Sequence, residues 1–188
     1  MKVFLLSAGV ILVFTQVLPA QSVNQESVVQ YKVTYWTTDD GLPGNSCVKI
    51  FQDIDGFLWM GSFDGLVRFD GTRFITYNKA NLLSSNFALA MTGDKQGNLW
   101  VGTDHGLSQY YKGKIVDLAD EDHNFFVESV LMDEEQHKVW IGTRNAGFFS
   151  YDISTRKYNK IEGPKDDDII NDIIKDPDGS LWVAGEKN

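Results

Sequence analysis

Short runs in which apolar and polar residues alternate recur along the chain from about residue 46 onward. The runs from Val48 to Gln52 and from Phe87 to Met91 are of this kind, and each precedes a turn rich in Asp and Gly. Alternation with a period of two predicts β-strands with one buried face. We expect such strands over residues 46–52, 86–92, 126–132 and 169–175.

Four tryptophans show that these strands belong to a repeat. Trp59, Trp100, Trp140 and Trp182 lie 41, 40 and 42 residues apart, and each follows an acidic turn. Four short strands and one Trp in about 40 residues are typical of a β-propeller blade. The predicted fold class is therefore all-β: a partial β-propeller of four-stranded antiparallel blades, about three of them complete and a fourth half complete.

The turn before each Trp has a predictable chemistry. An Asp side chain is expected to cap backbone N–H groups of the turn, and a Gly is expected to supply positive φ. The third copy departs from this, because Gln136-His137-Lys138 stands where the glycine is expected. Asp53-Ile-Asp55-Gly56 also resembles the start of a calcium-binding EF-hand loop, but Asp64 occupies the twelfth position, where such loops carry Glu. Turn capping is therefore the expected role, and no metal site is predicted.

The repeated tryptophans are expected to pack between neighbouring blades, since a residue present in every blade serves a contact that every blade makes. Stacking of sugars on these indoles is the alternative, and their regular spacing argues against it. Gly61, Gly102 and Gly142 lie two residues after the first three tryptophans, where a missing side chain would let the next sheet approach closely. Cys47, in the first strand, is expected to be a small buried hydrophobe.

The N-terminal residues differ from the repeats. Lys2 precedes an apolar run that ends at Phe14, and Leu18-Pro19-Ala20 follows. This pattern predicts a secretory signal peptide. An uncleaved membrane anchor is the alternative, but the apolar run is short for a span that needs about 20 residues.

The expected organisation follows from these segments. A signal peptide covers residues 1–20, a linker 21–30, a strand completing the last blade of the ring 31–40, blades 1 to 3 residues 41–78, 79–118 and 119–161, and an incomplete blade 4 residues 162–188. We therefore expect the sequence to be the N-terminal part of a larger propeller. Closure by four blades is an alternative, and it would leave the last blade without its third strand.

The composition and motifs of the chain argue against several classes of function. The chain has 26 acidic and 17 basic side chains and a formal net charge of −9, so nucleic acid is not an expected partner. Its single cysteine excludes an internal disulfide. No catalytic residue is predicted, because the three histidines occur singly and Gly61-Ser-Phe-Asp-Gly65 is not a Gly-x-Ser-x-Gly elbow. We expect no cofactor and no enzyme activity from this chain.

Loops at one end of the predicted ring are the expected ligand-binding region, because loops on a rigid scaffold commonly carry recognition. They are the connections into the first strand of each blade and the loops after each Trp-bearing strand. Their side chains could bind hydroxyl groups or a uronate, and an Arg there could pair with a carboxylate in bidentate fashion. The competing explanation is that Asn and Asp occur at such positions only because their side chains stabilise turns. The candidates are Asn45, Asp64, Asn86, Asp104, His105, Asn124, Arg144 and Asn145.

The repeats resemble the two-component regulator propeller repeat. The resemblance rests on Gly41-Leu-Pro-Gly-Asn45-Ser, on Asp-x-x-Gly-x-Leu-Trp-x-Gly-[Ser/Thr] and on Gly-Leu-x-x-[Phe/Tyr], and it covers nearly all of residues 31–188. The chain departs from the pattern at the turn over residues 134–138, at Leu82-Leu83-Ser-Ser85 in place of Gly-Leu-Pro, and at Ala184-Gly185 in place of Gly-Thr.

This resemblance implies the periplasmic sensor region of a hybrid two-component histidine kinase. In many relatives the signal is a glycan breakdown product, and a phosphorelay carries it to gene expression. The resemblance also implies an inner-membrane-anchored parent protein, an oligosaccharide ligand, the rest of the same sensor as a partner, and a homodimer. Two alternatives stay open: a secreted propeller that binds or degrades glycan without a kinase, and a protein-interaction scaffold.

Overall fold

The computed structural model describes residues 33–187, which form three four-stranded sheets and one two-stranded sheet, here called blades 1 to 4. Blade 1 contains β1 Lys49–Gln52, β2 Leu58–Gly61, β3 Leu66–Phe69 and β4 Phe74–Tyr77. Blade 2 contains β5 Ala88–Gly93, β6 Leu99–Thr103, β7 Gly106–Tyr111 and β8 Lys114–Asp117. Blade 3 contains β9 Val127–Asp133, β10 Lys138–Thr143, β11 Phe148–Asp152 and β12 Lys157–Ile161. Blade 4 contains β13 Ile169–Lys175 and β14 Leu181–Glu186.

The predicted fold class is confirmed. Within each blade the strands pair antiparallel in sequence order. The first strands of the blades are neighbours, since β5 contacts both β1 and β9, and β9 contacts β13. The described residues are therefore a partial propeller of three complete blades and half of a fourth. The predicted signal peptide over residues 1–20 and the linker over 21–30 lie outside the described residues.

The turn before each Trp-bearing strand has the expected chemistry in blade 1. Oδ1 of Asp53 accepts hydrogen bonds from the backbone N–H groups of Asp55 (3.1 Å) and Phe57 (2.9 Å). Gly56 has a φ of 87°, in the region that favours glycine. Blade 2 repeats this geometry. In blade 3, where the glycine is missing, His137 adopts a φ of 53°.

The first three repeated tryptophans lie between blades. Trp59 and Trp100 are fully buried and Trp140 is nearly so. The ring of Trp59 makes an edge contact with Tyr110 of blade 2, at 4.6 Å between ring centres. Trp182 is 62% exposed, because no sheet of the described chain covers that face of blade 4.

Close approach of the blades depends on the glycines that follow the tryptophans. A Cβ added at Gly102 would overlap Val127 of blade 3, and one added at Gly142 would overlap Ile170 of blade 4. Such contacts leave no room for a side chain. The glycines therefore set the spacing between neighbouring sheets.

The Ser or Thr after each of these glycines closes the next hairpin. Oγ1 of Thr143 donates to the carbonyl oxygen of Gly147 (2.7 Å) and accepts from the backbone N–H of Ala146 (3.0 Å). Ser62 and Thr103 make the equivalent pair of bonds. All three hydroxyl-bearing residues are buried, so the bonds are shielded from water.

The prediction of a strand over residues 31–40 needs correction. Thr38–Asp40 form a 3₁₀ turn, because Thr37 caps it, the Asp40 side chain bonds back to Thr37, and Gly41 ends it with a φ of 106°. Residues 33–37 pair with no strand of the described chain. Their predicted partner is a third strand of a last blade, which these residues do not include, so that pairing stays a prediction.

Cys47 is exposed, which contradicts the expectation of a buried hydrophobe. It precedes β1 on a face of blade 1 that no other described sheet covers. Ala88 occupies the equivalent position in blade 2 and is fully buried, because blade 1 lies against it. The difference therefore arises because no sheet within residues 33–187 covers Cys47, and not from the residue type.

Candidate functional site

Loops of adjacent blades come together at one end of the sheets, here called the loop end. It comprises residues 41–47, 62–65, 82–87, 103–106, 118–126, 143–147 and 162–168. Backbone hydrogen bonds join these loops across blades, from Ala88 N to the Ser62 oxygen (3.0 Å) and from Gly106 N to the Phe125 oxygen (2.9 Å). These bonds join the loop regions of blades 1 to 3, and all eight candidate ligand-binding residues lie in the loop end.

The two asparagines before the first strands of blades 1 and 2 have different surroundings. Oδ1 of Asn86 accepts a hydrogen bond from the backbone N–H of Lys79 (2.9 Å), so this side chain braces the 3₁₀ turn Lys79–Asn81. Asn45 is exposed and lines a cavity of about 290 Å³ together with Trp36 and Met60. That cavity lies on the uncovered face of blade 1.

Arg144 already has a carboxylate partner. Its Nη2 lies 2.9 and 3.1 Å from the two carboxylate oxygens of Glu128, and its guanidinium carbon lies 4.1 Å from the ring centre of Phe126. Oδ1 of Asn145 accepts from the backbone N–H of Phe126 at 3.4 Å. Glu128 is the residue that the register shift in the β9–β10 ladder leaves without a partner, so a β-bulge aims its side chain.

The remaining candidates make few side-chain contacts. The exposed carboxylate of Asp64 lies against Gly44. It occupies the space that a β-carbon at position 44 would need. Asp104 is half-buried, and its Oδ1 is buried without a hydrogen-bond partner among the described residues. The side chains of His105 and Asn124 are exposed. Within residues 33–187, no hydrogen bond joins a candidate on one blade to a candidate on another.

The connection into blade 3 is packed and not open. The ring of His123 stacks on Tyr158 at 4.2 Å, and its Nδ1 lies 2.7 Å from Oδ1 of Asp120. Burial raises the pKa of the Tyr158 hydroxyl, which donates to the carbonyl oxygen of Leu118 (3.0 Å). Burial works to raise the pKa of Asp120 as well, but hydrogen bonds from His123 and from backbone N–H groups lower it overall. These contacts give His123 a structural role.

Partly exposed aromatic rings are the feature of the loop end that the sequence did not reveal. The rings of Phe63 and Phe87 make an edge contact at 5.5 Å between centres, across blades 1 and 2. Phe126 occupies the position of Phe87 in blade 3, one residue before the first residue paired in the ladder. This equivalence of Phe87 and Phe126 could have been found in the sequence by aligning the repeats on their tryptophans and allowing for the longer turn of blade 3.

Within residues 33–187, no group of three or more His, Cys, Asp or Glu side chains is arranged to hold a metal ion. Nor does the same range contain a helix that is long and apolar enough to cross a membrane.

Comparison with protein families matches three of the four repeats. The profile described as two component regulator propeller matches residues 41–64, 82–105 and 164–187. Each match runs from the connection before the first strand of a blade to the loop after its Trp-bearing strand. The copy in blade 3, whose turn is longer and lacks the glycine, is not matched. No curated protein matches the chain.

Solved structures similar to the chain include extracellular domains of hybrid two component systems. The extracellular domain of BT3049 from B. thetaiotaomicron, assigned to a hybrid two component system, is 25% identical over 80% of this chain and 23% of that chain, with a TM-score of 0.68. That of BT4673 from the same organism, with the same assignment, is 26% identical over 69% and 18% of the two chains, with a TM-score of 0.60. PorZ of Porphyromonas gingivalis, a surface component of the type-IX secretion system, is 13% identical over 84% and 27%, with a TM-score of 0.54, which concerns the fold alone.

This chain spans only about a fifth of the length of these two extracellular domains. In blades 1, 2 and 4 the matched profile coincides with the first two strands of the blade and the loops that flank them. Residues 41–64, 82–105 and 164–187 are therefore identified as two component regulator propeller repeats.

Proposed function

We propose that this chain is an extracytoplasmic ligand-sensing segment of a hybrid two-component sensor, located in the periplasm after export. The observation that carries the proposal is the similarity to the extracellular domain of BT3049, over 80% of this chain. In this proposal the chain contributes part of a sensing propeller, and a phosphorelay in other parts of the parent protein carries the signal to transcription.

The proposed ligand is an oligosaccharide bound at the loop end. Sugar rings have apolar C–H faces that pack on aromatic rings, and Phe63 and Phe87 offer two partly exposed rings in contact. The neighbouring Asp64, Asp104 and Asn45 supply acceptors and donors for hydroxyl groups. One oxygen of Asp104 is already desolvated without a partner, so a hydroxyl donor there would satisfy it.

A neutral sugar fits this surface better than a uronate. Arg144 is the cation among the eight candidate residues, and Glu128 already holds it. The other charged side chains among the eight candidates are the carboxylates of Asp64 and Asp104, and the whole chain has a net charge of −9. A ligand carboxylate would therefore meet repulsion and would have to displace Glu128 from Arg144.

Calorimetric titration with neutral and uronate-containing oligosaccharides of matched length tests the proposal. We expect a neutral oligosaccharide to bind and Phe87→Ala to weaken that binding by about two- to thirteen-fold, since an aromatic contact contributes about 0.5 to 1.5 kcal/mol. Val116→Ala is the matched control, because Val116 is also an exposed apolar residue but lies on β8. Binding that tolerates Phe87→Ala, or that favours the uronates, would contradict this site.

The same mixtures distinguish sensing from degradation. Chromatography of the oligosaccharides after incubation should recover them intact. Release of shorter products would support the alternative of a secreted glycan-degrading propeller. Absence of binding to every sugar would remove the glycan-sensing proposal altogether.

A further inference from the structure

We propose that the loop end contains a second sugar-binding subsite, at the step from blade 2 to blade 3. This inference rests on the oligosaccharide ligand proposed above, and it adds the length and the path of that ligand. The oligosaccharide extends across consecutive blades, from the rings of Phe63 and Phe87 to the second subsite. The second subsite consists of Asp104, Phe126, Glu128 and Arg144.

The repeat places two of these residues as it places the first pair of rings. Phe87 precedes the first paired residue of β5, and Phe126 precedes that of β9. Asp104 is the counterpart of Phe63, because each follows the hydroxyl-bearing residue that closes its hairpin. Asp104 and Phe126 therefore occupy, between blades 2 and 3, the positions at which Phe63 and Phe87 meet between blades 1 and 2. Blades 1 and 4 flank this step in the described chain, so its exposure does not come from an uncovered sheet face.

Arg144 and Phe126 form a stacked pair at this step. The guanidinium carbon of Arg144 lies 4.1 Å from the ring centre of Phe126, and the Arg144 side chain is nevertheless 49% exposed. Its Nη2 donates to Glu128, whereas its Nε and Nη1 donate to no residue within the described range 33–187. The guanidinium is thus held in place while its remaining N–H donors stay available for a ligand.

Two carboxylates provide acceptors beside these donors. The side chain of Glu128 is 22% exposed, so its oxygens can accept from a ligand while they hold Arg144. Oδ1 of Asp104 is buried, with no hydrogen-bond partner in the part of the chain that the structure describes. Each hydroxyl group of a sugar both donates and accepts, so neighbouring hydroxyls match a site that offers both kinds of partner.

The spacing of the blades determines how long the ligand must be. Sheets that stack face to face lie about 10 Å apart, which exceeds the width of one sugar ring. The first pair of rings and the second subsite are one blade apart in the array. A ligand that fills both therefore contains several sugar residues, and a disaccharide fills only one of them.

Calorimetric titration with a length series tests the second subsite. The probes are unbranched oligosaccharides of xylose, mannose and glucose, each as a disaccharide, a tetrasaccharide and a hexasaccharide. In the series that binds, we expect the hexasaccharide to bind more tightly than the disaccharide. Arg144→Ala should weaken hexasaccharide binding about tenfold, because it removes hydrogen bonds from a charged donor. It should leave disaccharide binding at the first pair of rings unchanged.

Two further variants serve as controls. Arg144→Lys keeps the positive charge but loses the planar group that stacks on Phe126, so it should weaken hexasaccharide binding as alanine does. Arg156→Ala is the matched control, since Arg156 is an exposed arginine in the turn after β11, at the end of blade 3 opposite the loop end. It should leave binding unchanged at every length. The melting temperature of each variant checks that it is folded.

The outcomes separate this inference from the proposed function. Suppose that binding depends on Phe87 but that Arg144→Ala weakens it equally at every length, or at none. The second subsite is then overturned and the oligosaccharide ligand is not. A hexasaccharide that binds no more tightly than the disaccharide has the same consequence. Failure of every series to bind the wild-type chain would overturn the proposed ligand, and the second subsite with it.

Discussion

Trp100 differs from the other repeated tryptophans in one hydrogen bond. In blade 1, Nε1 of Trp59 donates to Oδ2 of Asp53 at 2.6 Å. In blade 2 the corresponding oxygen of Asp94 accepts instead from Nδ2 of Asn98, also at 2.6 Å. Nε1 of Trp100 is consequently buried without a partner among the described residues. A buried donor without an acceptor costs roughly 1 to 3 kcal/mol.

Asn98→Ser should therefore stabilise the chain. Ser180 occupies this position in blade 4, where Trp182 does donate to Asp176. Removal of the Asn98 amide frees Asp94 to accept from Trp100, and we expect a gain of about 1 kcal/mol in the free energy of unfolding. Urea unfolding followed by circular dichroism measures it.

Gln109→Ala is the control for this change. Gln109 donates to Oδ1 of Asn98 at 2.9 Å, so its removal disturbs the same side chain without freeing Asp94. No gain is expected from it. A gain of equal size in both variants would show that the freed indole bond is not the cause.

The contacts of single residues were only partly predictable from the sequence. The sequence predicted that Arg144 could bind a carboxylate, and the structure pairs it with Glu128, which is 16 positions away. That pairing depends on a β-bulge in β9, and strand alternation does not reveal a bulge. The residue type of Arg144 therefore indicated a carboxylate partner, whereas the identity of that partner depends on the register of the β9–β10 ladder.

At the scale of elements, the alternation of apolar and polar residues predicted the strands but not the connections between them. Alternating runs placed the first strand of each blade within three residues of its observed start. The segment ending at Asp40 was predicted as a strand, but its Thr37–Asp40 capping box forms a 3₁₀ turn. Capping depends on a few polar side chains, so hydrophobic periodicity does not detect it.

The two 3₁₀ turns carry a prediction of their own. Gly41 ends the first with a φ of 106°, and Leu82 ends the second with a φ of 71°, where a β-carbon is unfavourable. Leu82 is 66% exposed, so its side chain contributes little burial. Leu82→Gly should raise the free energy of unfolding by about 1 kcal/mol, measured as a higher melting temperature.

Leu82→Ala separates backbone strain from loss of the side chain. Alanine removes the exposed leucine side chain but keeps the β-carbon, so the left-handed conformation stays unfavourable. We expect no comparable gain from alanine. Equal stabilisation by Ala and Gly would instead assign the effect to the exposed leucine.

At the scale of the whole molecule, the repeat period determined the architecture because each blade buries its apolar face only against the next. The apolar clusters are built from neighbouring blades: Trp59 packs with Leu99 and Tyr110 of blade 2, and Trp100 with Val127 and Val139 of blade 3. Stability in such an array depends on the contacts between neighbours. Equivalent residues of the repeated motif should therefore contribute unequally to the free energy of unfolding, according to whether the next blade covers them.

Trp59→Ala and Trp182→Ala test this directly, because both residues follow the same acidic turn and make the same bond to an Asp. Trp59 is fully buried between blades, so its loss leaves a cavity and should cost about 3 to 5 kcal/mol in the free energy of unfolding. Trp182 is 62% exposed, and its loss should change that free energy by less than about 0.5 kcal/mol. Urea unfolding followed by circular dichroism measures both losses. Equal losses would mean that the indole stabilises its own hairpin, and that packing between blades is not what the repeated tryptophan provides.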